Sequence, residues 1–305
     1  MENTRLSTPI VFIIFNRPEK TRRVFESIRQ AQPSRLLLVA DGPRQNSPSD
    51  NNNCALVRSV VDHIDWDCNV QTNFADNNLG CRLRVSTGLD WAFDVVEEAI
   101  ILEDDCLPHP TFFRFCEELL HKYRDDERVM VISGNNFQNR MDHIHSSYYF
   151  SRYPHVWGWA TWRRSWRLNT PKMEYWPQFR NGGWLEDVFT NRRDIDYWTK
   201  IFNMVYAGEI DTWDYAWIFA CWIQSGLTIL PNVNLVTNIG FDNDATHTLK
   251  SKKFSNMPVH PMIFPLEHPP FVIQNFRADN FTQRNNYDRD SWIYWLLRRV
   301  KQLLK

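Results

Sequence analysis

Three consecutive carboxylates, Glu103-Asp104-Asp105, follow directly on the apolar run Ala99-Ile100-Ile101-Leu102. Charges so close to a core are costly without compensation. Hard divalent cations such as Mg2+ or Mn2+ supply it, because they take oxygen ligands and share them with substrate phosphates. The ordinary alternative is a solvated acidic turn. Asp41 closes a second apolar run, Leu36-Leu37-Leu38-Val39-Ala40, just before Gly42-Pro43. It either shapes that turn or accepts from the N–H of a base or the hydroxyl of a sugar. Asp214 stands among Trp213, Tyr215 and Trp217. In a capping segment, with Asp211 or Thr212 as the cap, it would simply favour a helix start. Desolvated by those rings, it would hold a proton more tightly and act as a general base. Arg82 and Arg84 follow the turn Asn77-Asn78-Leu79-Gly80. Guanidinium groups at a helix start suit a diphosphate, although a solvated helix face carries arginines too. His247 lies in a polar stretch, 240–248, where it is either exposed or a metal or phosphate contact on a closing loop.

The elements that must position these residues alternate. Pro9–Phe15, Leu36–Ala40 and Ala99–Leu102 are continuous apolar runs, as expected of strands buried on both faces. Helical spacing appears in Val24, Phe25 and Ile28, in Leu56, Val57, Val60, Val61 and Ile64, and in Val85, Leu89, Ala92, Phe93 and Val96. Arg44–Asn53 reads as a polar loop, and a short strand is expected near Asn69–Thr72. The β-α-β-α order predicts an α/β fold with a mainly parallel sheet and helices on both faces. Ligands of such sheets bind beyond the carboxyl ends of the strands, where Asp41 and the acidic triplet fall. Further on, a helix follows Pro110, Val129–Ile132 is a strand, and helices are expected over about 194–206 and 213–224. The segment 232–286, with five prolines, reads as loop. No linker divides the chain. One domain is expected, with a nucleotide-binding half (9–135), an aromatic half (136–257) and a C-terminal extension (258–305).

Composition removes several classes. The 305 residues carry 35 basic and 36 acidic side chains, a net charge of −1, so nothing favours nucleic acid as a partner. No run approaches the roughly 18 apolar residues of a membrane span, and the short Ile10–Phe15 run is no signal-peptide core. A cytoplasmic chain is expected. Six scattered cysteines without a C-x-x-C pair favour neither a disulfide framework nor a zinc site. P-loop, G-x-G-x-x-G, nucleophile-elbow and H-E-x-x-H patterns are absent. The 14 Trp, 10 Tyr and 20 Phe suffice either for a large core or for a groove that stacks on sugars or bases. Ser291–Lys305 forms an amphipathic pattern with Arg298, Arg299, Lys301 and Lys305 on its polar side. It suits docking on the core or contact with the inner membrane surface.

The combination of Asn16-Arg17-Pro18 after the first strand, Asp41-Gly42 after the second, Glu103-Asp104-Asp105 after the third and Pro110-Thr111-Phe112-Phe113 at a helix start resembles the GT-A nucleotide-diphospho-sugar transferases. The likeness is nearest to the N-acetylglucosaminyltransferase I-like branch, whose acidic motif is also Glu-Asp-Asp. It runs from about 9 to 135 and, more loosely, through Trp157-Gly158-Trp159 and Trp213-Asp214-Tyr215 to the His247 loop. The resemblance implies a glycosyltransferase dependent on Mn2+ or Mg2+, with a UDP-sugar donor and a glycan or glycolipid acceptor. It implies that Asp105 binds the metal, Asp104 meets the ribose, and Glu103 meets the donor sugar. Arg17 (with Asn16) and Asp41 would hold the uracil and ribose end, and Arg84 the diphosphate. Asp214 would be the base of an inverting transfer, and His247 would sit in the loop over the donor. The family has two acids after the Trp where this chain has Asp214-Tyr215. The eukaryotic members' membrane anchor has no counterpart here, which points to a bacterial relative. Trp157 and Trp159, with Trp162 and Trp176, are candidates to stack on an acceptor sugar, against plain core packing for each. Two other functions fit less well. A sugar nucleotidyltransferase needs a Gly-rich basic loop where Asn16-Arg17-Pro18-Glu19-Lys20 stands, and a non-catalytic lectin would need no acidic triplet.

Overall fold

A computed structural model describes residues 5–138, 145–241 and 256–287. The chain begins as β1 (Ile10–Ile14), α1 (Pro18–Ala31), β2 (Arg35–Ala40), α2 (Pro48–Arg58), β3 (Asn69–Phe74), α3 (Cys81–Val95) and β4 (Glu98–Glu103). Then come β5 (Cys106–Pro108), α4 (Thr111–Lys122), β6 (Val129–Ser133), β7 (Tyr148–Ser151), β8 (Trp159–Trp162) and the short helices α5 (Arg163–Trp166), α6 (Trp176–Asn181) and α7 (Leu185–Val188). The last elements are α8 (Arg192–Tyr206), α9 (Asp214–Ile223), β9 (Leu227–Pro231), β10 (Val236–Asn238) and α10 (Phe276–Asn286).

The main sheet has eight strands in the order β3-β2-β1-β4-β8-β6-β9-β7. β3, β2, β1 and β4 are mutually parallel, β6 and β9 are parallel to each other, and β8 and β7 run against their neighbours. The sheet is thus mainly parallel, as expected, with β8 and β7 reversed. Alternation along the strands divides the core. Ile10, Phe12, Leu36 and Leu38 face α1, α2 and α4, where Val24, Ile28, Val57 and Phe115 meet them. Val11, Ile13, Leu37 and Val39 face α3, α5 and α9, where Leu89, Trp166 and Trp217 lie. Helices cover both faces, so strands without alternating polarity are the stable solution. A separate aromatic core, including Trp176, Trp198, Phe202 and Phe219, joins α6, α8 and α9.

Three expectations fail. Arg44–Asn53 is no loop throughout: α2 starts at Pro48, whose fixed φ suits a first helical position. Its stretch of asparagines is anchored by buried Asp50, which accepts from Arg44, Asn16 and Ser47. Within 232–286 the loop reading missed β10, which pairs antiparallel with β5, and α10. The buried side of α10 is mostly polar, Asp279, Thr282 and Gln283 beside Ala278, so no apolar period marks it. Trp159, Trp162 and Trp176 are no sugar platform; each is at most 2% exposed. An indole removes roughly 150–250 Å² from water, which at about 25 cal/mol/Å² accounts for its presence as core. The segment Ser291–Lys305 and His247 lie outside the described residues.

Candidate active site

β1, β2 and β4 end at one level: Ile13 pairs with Glu103, and Ile14 with Ala40. From β1 the chain steps outward to β2 and β3 on one side, and then returns to place β4 on the other. The crevice of a doubly wound sheet opens at such a reversal. Here it lies between the ends of β1 and β4, and the acidic triplet faces Arg17 across it.

The triplet is not a solvated turn. Asp104 is buried; its Oδ2 accepts from the Phe15 N–H at 3.1 Å and its Oδ1 from Arg17 Nη1 at 3.2 Å. The same Nη1 donates to Asp105 Oδ2 at 2.9 Å. Asp105 Oδ1 receives only long contacts, from Asn238 Nδ2 at 3.4 Å and Cys106 Sγ at 3.5 Å. The Glu103 carboxyl makes no hydrogen bond among the described residues. Desolvation, then Asp105, Asp104 and Asp214, raise its pKa well above the carboxylate range. Desolvation also pushes Asp104 up to about 6 against the pull of Arg17. Among the described residues one guanidinium therefore bonds two of three crowded carboxylates, and the charge there is left under-compensated.

Asp214 opens α9 with Trp213, not Asp211 or Thr212, at the cap position. Its Oδ1 accepts from the Thr212 hydroxyl and from the Tyr215 N–H at 2.9 Å. Glu103 and the half-buried Cys81 both feel its charge, so α9 delivers a fourth carboxylate to the same crevice. Beneath it Trp213 stacks on Trp159 with centroids 5.6 Å apart. Trp159 thus supports the start of α9 from inside.

Other expected contacts are occupied elsewhere. Asp41 accepts from the N–H groups of Gly42 (2.8 Å), Leu79 (2.8 Å) and Gly80 (3.1 Å) and from Asn78 Nδ2 (2.9 Å). A carboxylate has about four lone-pair sites, so none remains for a base. Its work is to fold 77–80 against the end of β2. Arg84 is buried and its Nη2 holds Asn73 through the backbone oxygen (2.8 Å) and Oδ1 (2.7 Å), so it does not present to a diphosphate. Asn16 donates to Asp50. Trp157 is half-buried, edge-on to Phe137 (5.1 Å) and Phe241 (5.5 Å), at the same rim.

Residues with no motif complete the crevice. Besides the Asn238 contact, the Ile239 N–H donates to the Asp105 backbone oxygen at 2.8 Å. A Cβ on Gly240 would lie 2.2 Å from Asp105 Oδ2, so a larger residue here would have to push the Asp105 carboxylate aside. The one visible signal was a glycine opening a polar stretch. Among the described residues no three His, Cys, Asp or Glu side chains converge on a site that would hold an ion unaided. The donor set still fits an ion completed by a substrate: all-oxygen ligands, surplus negative charge, and an Asp105 oxygen with only long contacts.

No family model matches the chain, and no curated protein matches it. Among solved structures it is similar to the mannosyltransferase PcManGT from Pyrobaculum calidifontis, solved with GDP-Man and Mn2+. Identity is 15% and the TM-score 0.38, over 53% of this chain and 46% of that one, so the chain spans about half that enzyme's length. It is also similar to HddC from Yersinia pseudotuberculosis, at 9% identity and TM-score 0.31, over 52% of this chain and 77% of that one. The functional reading rests on this chain's own residues. No helix among the described residues is long and apolar enough to cross a membrane.

Proposed function

We propose that the chain is a GT-A type glycosyltransferase that moves a sugar from a nucleoside-diphosphate sugar, a UDP-sugar, to a hydroxyl of a glycan or glycolipid. The observation that carries this reading is the gathering of Glu103, Asp104 and Asp105 around one guanidinium, Arg17, at the switch point of the sheet, with Asp214 near enough for its charge to act on Glu103. Asp105 would hold a divalent ion together with the donor's diphosphate. When bound, Mn2+ or Mg2+ neutralises the charge that develops on a departing nucleoside diphosphate. Arg17 adds a second positive charge to that end of the crevice. Asp104 secures the loop that brings Phe15 and Arg17 to the ribose side. Glu103, whose carboxyl has no hydrogen bond among the described residues, would take a hydroxyl of the transferred sugar. Asp214 would remove the proton from the acceptor hydroxyl as it attacks, giving inversion. The 9–135 half would hold the donor, and 136–257 would supply Asp214 and the Trp157 wall. The basic amphipathic pattern of Ser291–Lys305 supports contact with a membrane surface that presents a glycolipid.

The test is a panel of nucleotide sugars screened for thermal stabilisation with and without Mn2+, since a ligand bound only by the folded chain raises Tm. Cation-dependent stabilisation by one or a few of them is expected, and none across the panel rejects the reading. Asp214→Asn should then retain donor affinity and lose about 10²-fold or more in turnover. Near-normal turnover assigns the base elsewhere.

A further inference from the structure

Asn135 leaves the carboxyl edge of the sheet two residues beyond Ser133, the end of β6. It is 1% exposed. Its Oδ1 accepts from Ser133 Oγ at 3.1 Å, and its backbone N–H donates to the same hydroxyl at 3.3 Å. These bonds turn the amide oxygen toward Ser133 and leave Nδ2 with no acceptor among the described residues. An unpaired buried donor is costly and calls for a partner.

The register shows what stands opposite. Trp159 of β8 pairs with Ser133 on one side and with Ile101 of β4 on the other. Asn135 lies two residues beyond Ser133, and Glu103 two beyond Ile101. The two are therefore at one level, two strand spacings or about 10 Å apart. They also share a face. Ile101 and Trp159 belong to the core beneath α3 and α9, and alternation puts Glu103 on the side of Ile101. Ser133 is opposite Trp159, and its hydroxyl draws the Asn135 side chain to that side. Among the described residues, an N–H donor without an acceptor thus stands about 10 Å along the sheet edge from a carboxyl without a donor, a separation that one small ring can span. A group with adjacent hydroxyls satisfies both, because each hydroxyl donates and accepts.

We propose that Asn135 recognises the transferred sugar: Nδ2 donates to one of its hydroxyls while Glu103 accepts from another. This rests on the nucleotide-sugar reading and adds a specificity residue to it. The experiment compares UDP with UDP-glucose, UDP-galactose and UDP-N-acetylglucosamine by calorimetry in Mn2+, in the wild-type chain, Asn135→Asp and Asn135→Thr. Asn135→Asp keeps the shape and the acceptor for Ser133 but removes the N–H donor; Asn135→Thr adds no charge, and Tm checks that each variant folds. The expected result is unchanged UDP affinity in both variants, with a loss of about 10-fold or more for the sugar nucleotide that the wild type prefers. Variants that bind both UDP and the sugar nucleotide like wild type overturn the Asn135 assignment and leave the parent reading standing. A wild-type chain that binds neither UDP nor any sugar nucleotide overturns both.

Discussion

Asp50 and Asp279 are 1% and 2% exposed, more deeply buried than any member of the acidic triplet, and the chain answers each with donors. Asp50 accepts from Arg44 Nε at 2.6 Å and Nη2 at 3.0 Å, from Asn16 and from Ser47; the Arg44 bonds hold it well below the usual carboxylate range. Asp279 takes the Ser151 hydroxyl, the Arg152 N–H at 3.1 Å and Gln274 Nε2 at 2.6 Å. Through it, and through Gln283 between Tyr153 and Trp198, α10 is fastened to β7 and the aromatic core. The crevice is built the other way. Glu103 has no hydrogen-bond partner among the described residues, and Asp104 and Asp105 share one arginine nitrogen. Carboxylates that serve the fold are completed by it. Those at the sheet edge are left short of donors among the described residues.

Removing a carboxylate from each region should therefore have opposite consequences. The largest effect is expected for Asp105→Ala, which should abolish Mn2+-dependent binding of the donor, a loss beyond about 100-fold by calorimetry, with Tm of the ligand-free chain unchanged or raised as crowding eases. Unaltered affinity would mean that this edge is as finished as the Asp279 site. Asp279→Ala should cost about 3 kcal/mol of stability, because Arg152 and the Ser151 hydroxyl lose a buried acceptor. It should lower Tm by several degrees and leave donor affinity alone. The smallest effect concerns His155, which makes no hydrogen bond among the described residues and packs against Phe137 and Tyr153. Burial pushes it down to about 3. The unfolded chain, with an ordinary His pKa of about 6.5, binds this proton first as pH falls. Stability from neutral His155 is thus full above about pH 6.5 and drains away as pH drops toward 3. His155→Gln should flatten the slope of Tm against pH between about 6 and 4, and an identical slope would show that the ring is solvated.

The continuous apolar runs gave away β1, β2 and β4, because a strand covered on both faces has no polar side to show. The same reasoning located Asp41 and Glu103-Asp104-Asp105 at strand ends. It also found α1, α3, α4 and α8, whose buried residues recur at helical spacing. It reached only the end of α2, through Leu56 and Val57, because the first turn is anchored by buried Asp50, and it missed α10, whose inward face carries Asp279, Thr282 and Gln283 in place of apolar residues. Nor could it separate a tryptophan that lines a groove from one that fills a core, since burial depends on neighbours far along the chain.

What residue order determined by itself was a set of local facts: where strands end, which charges stand there, and that three of them are adjacent. Tertiary structure decided which of those charges meet. The return of β4 to the far side of β1 put the triplet against Arg17, and α9 carried Asp214 to Glu103 from more than a hundred residues away. It also spent Asp41 and Arg84 on loop and strand ends, and brought Gly240 against Asp105. Electrostatic and hydrogen-bond energies depend on distance in space, which spacing along the chain does not record.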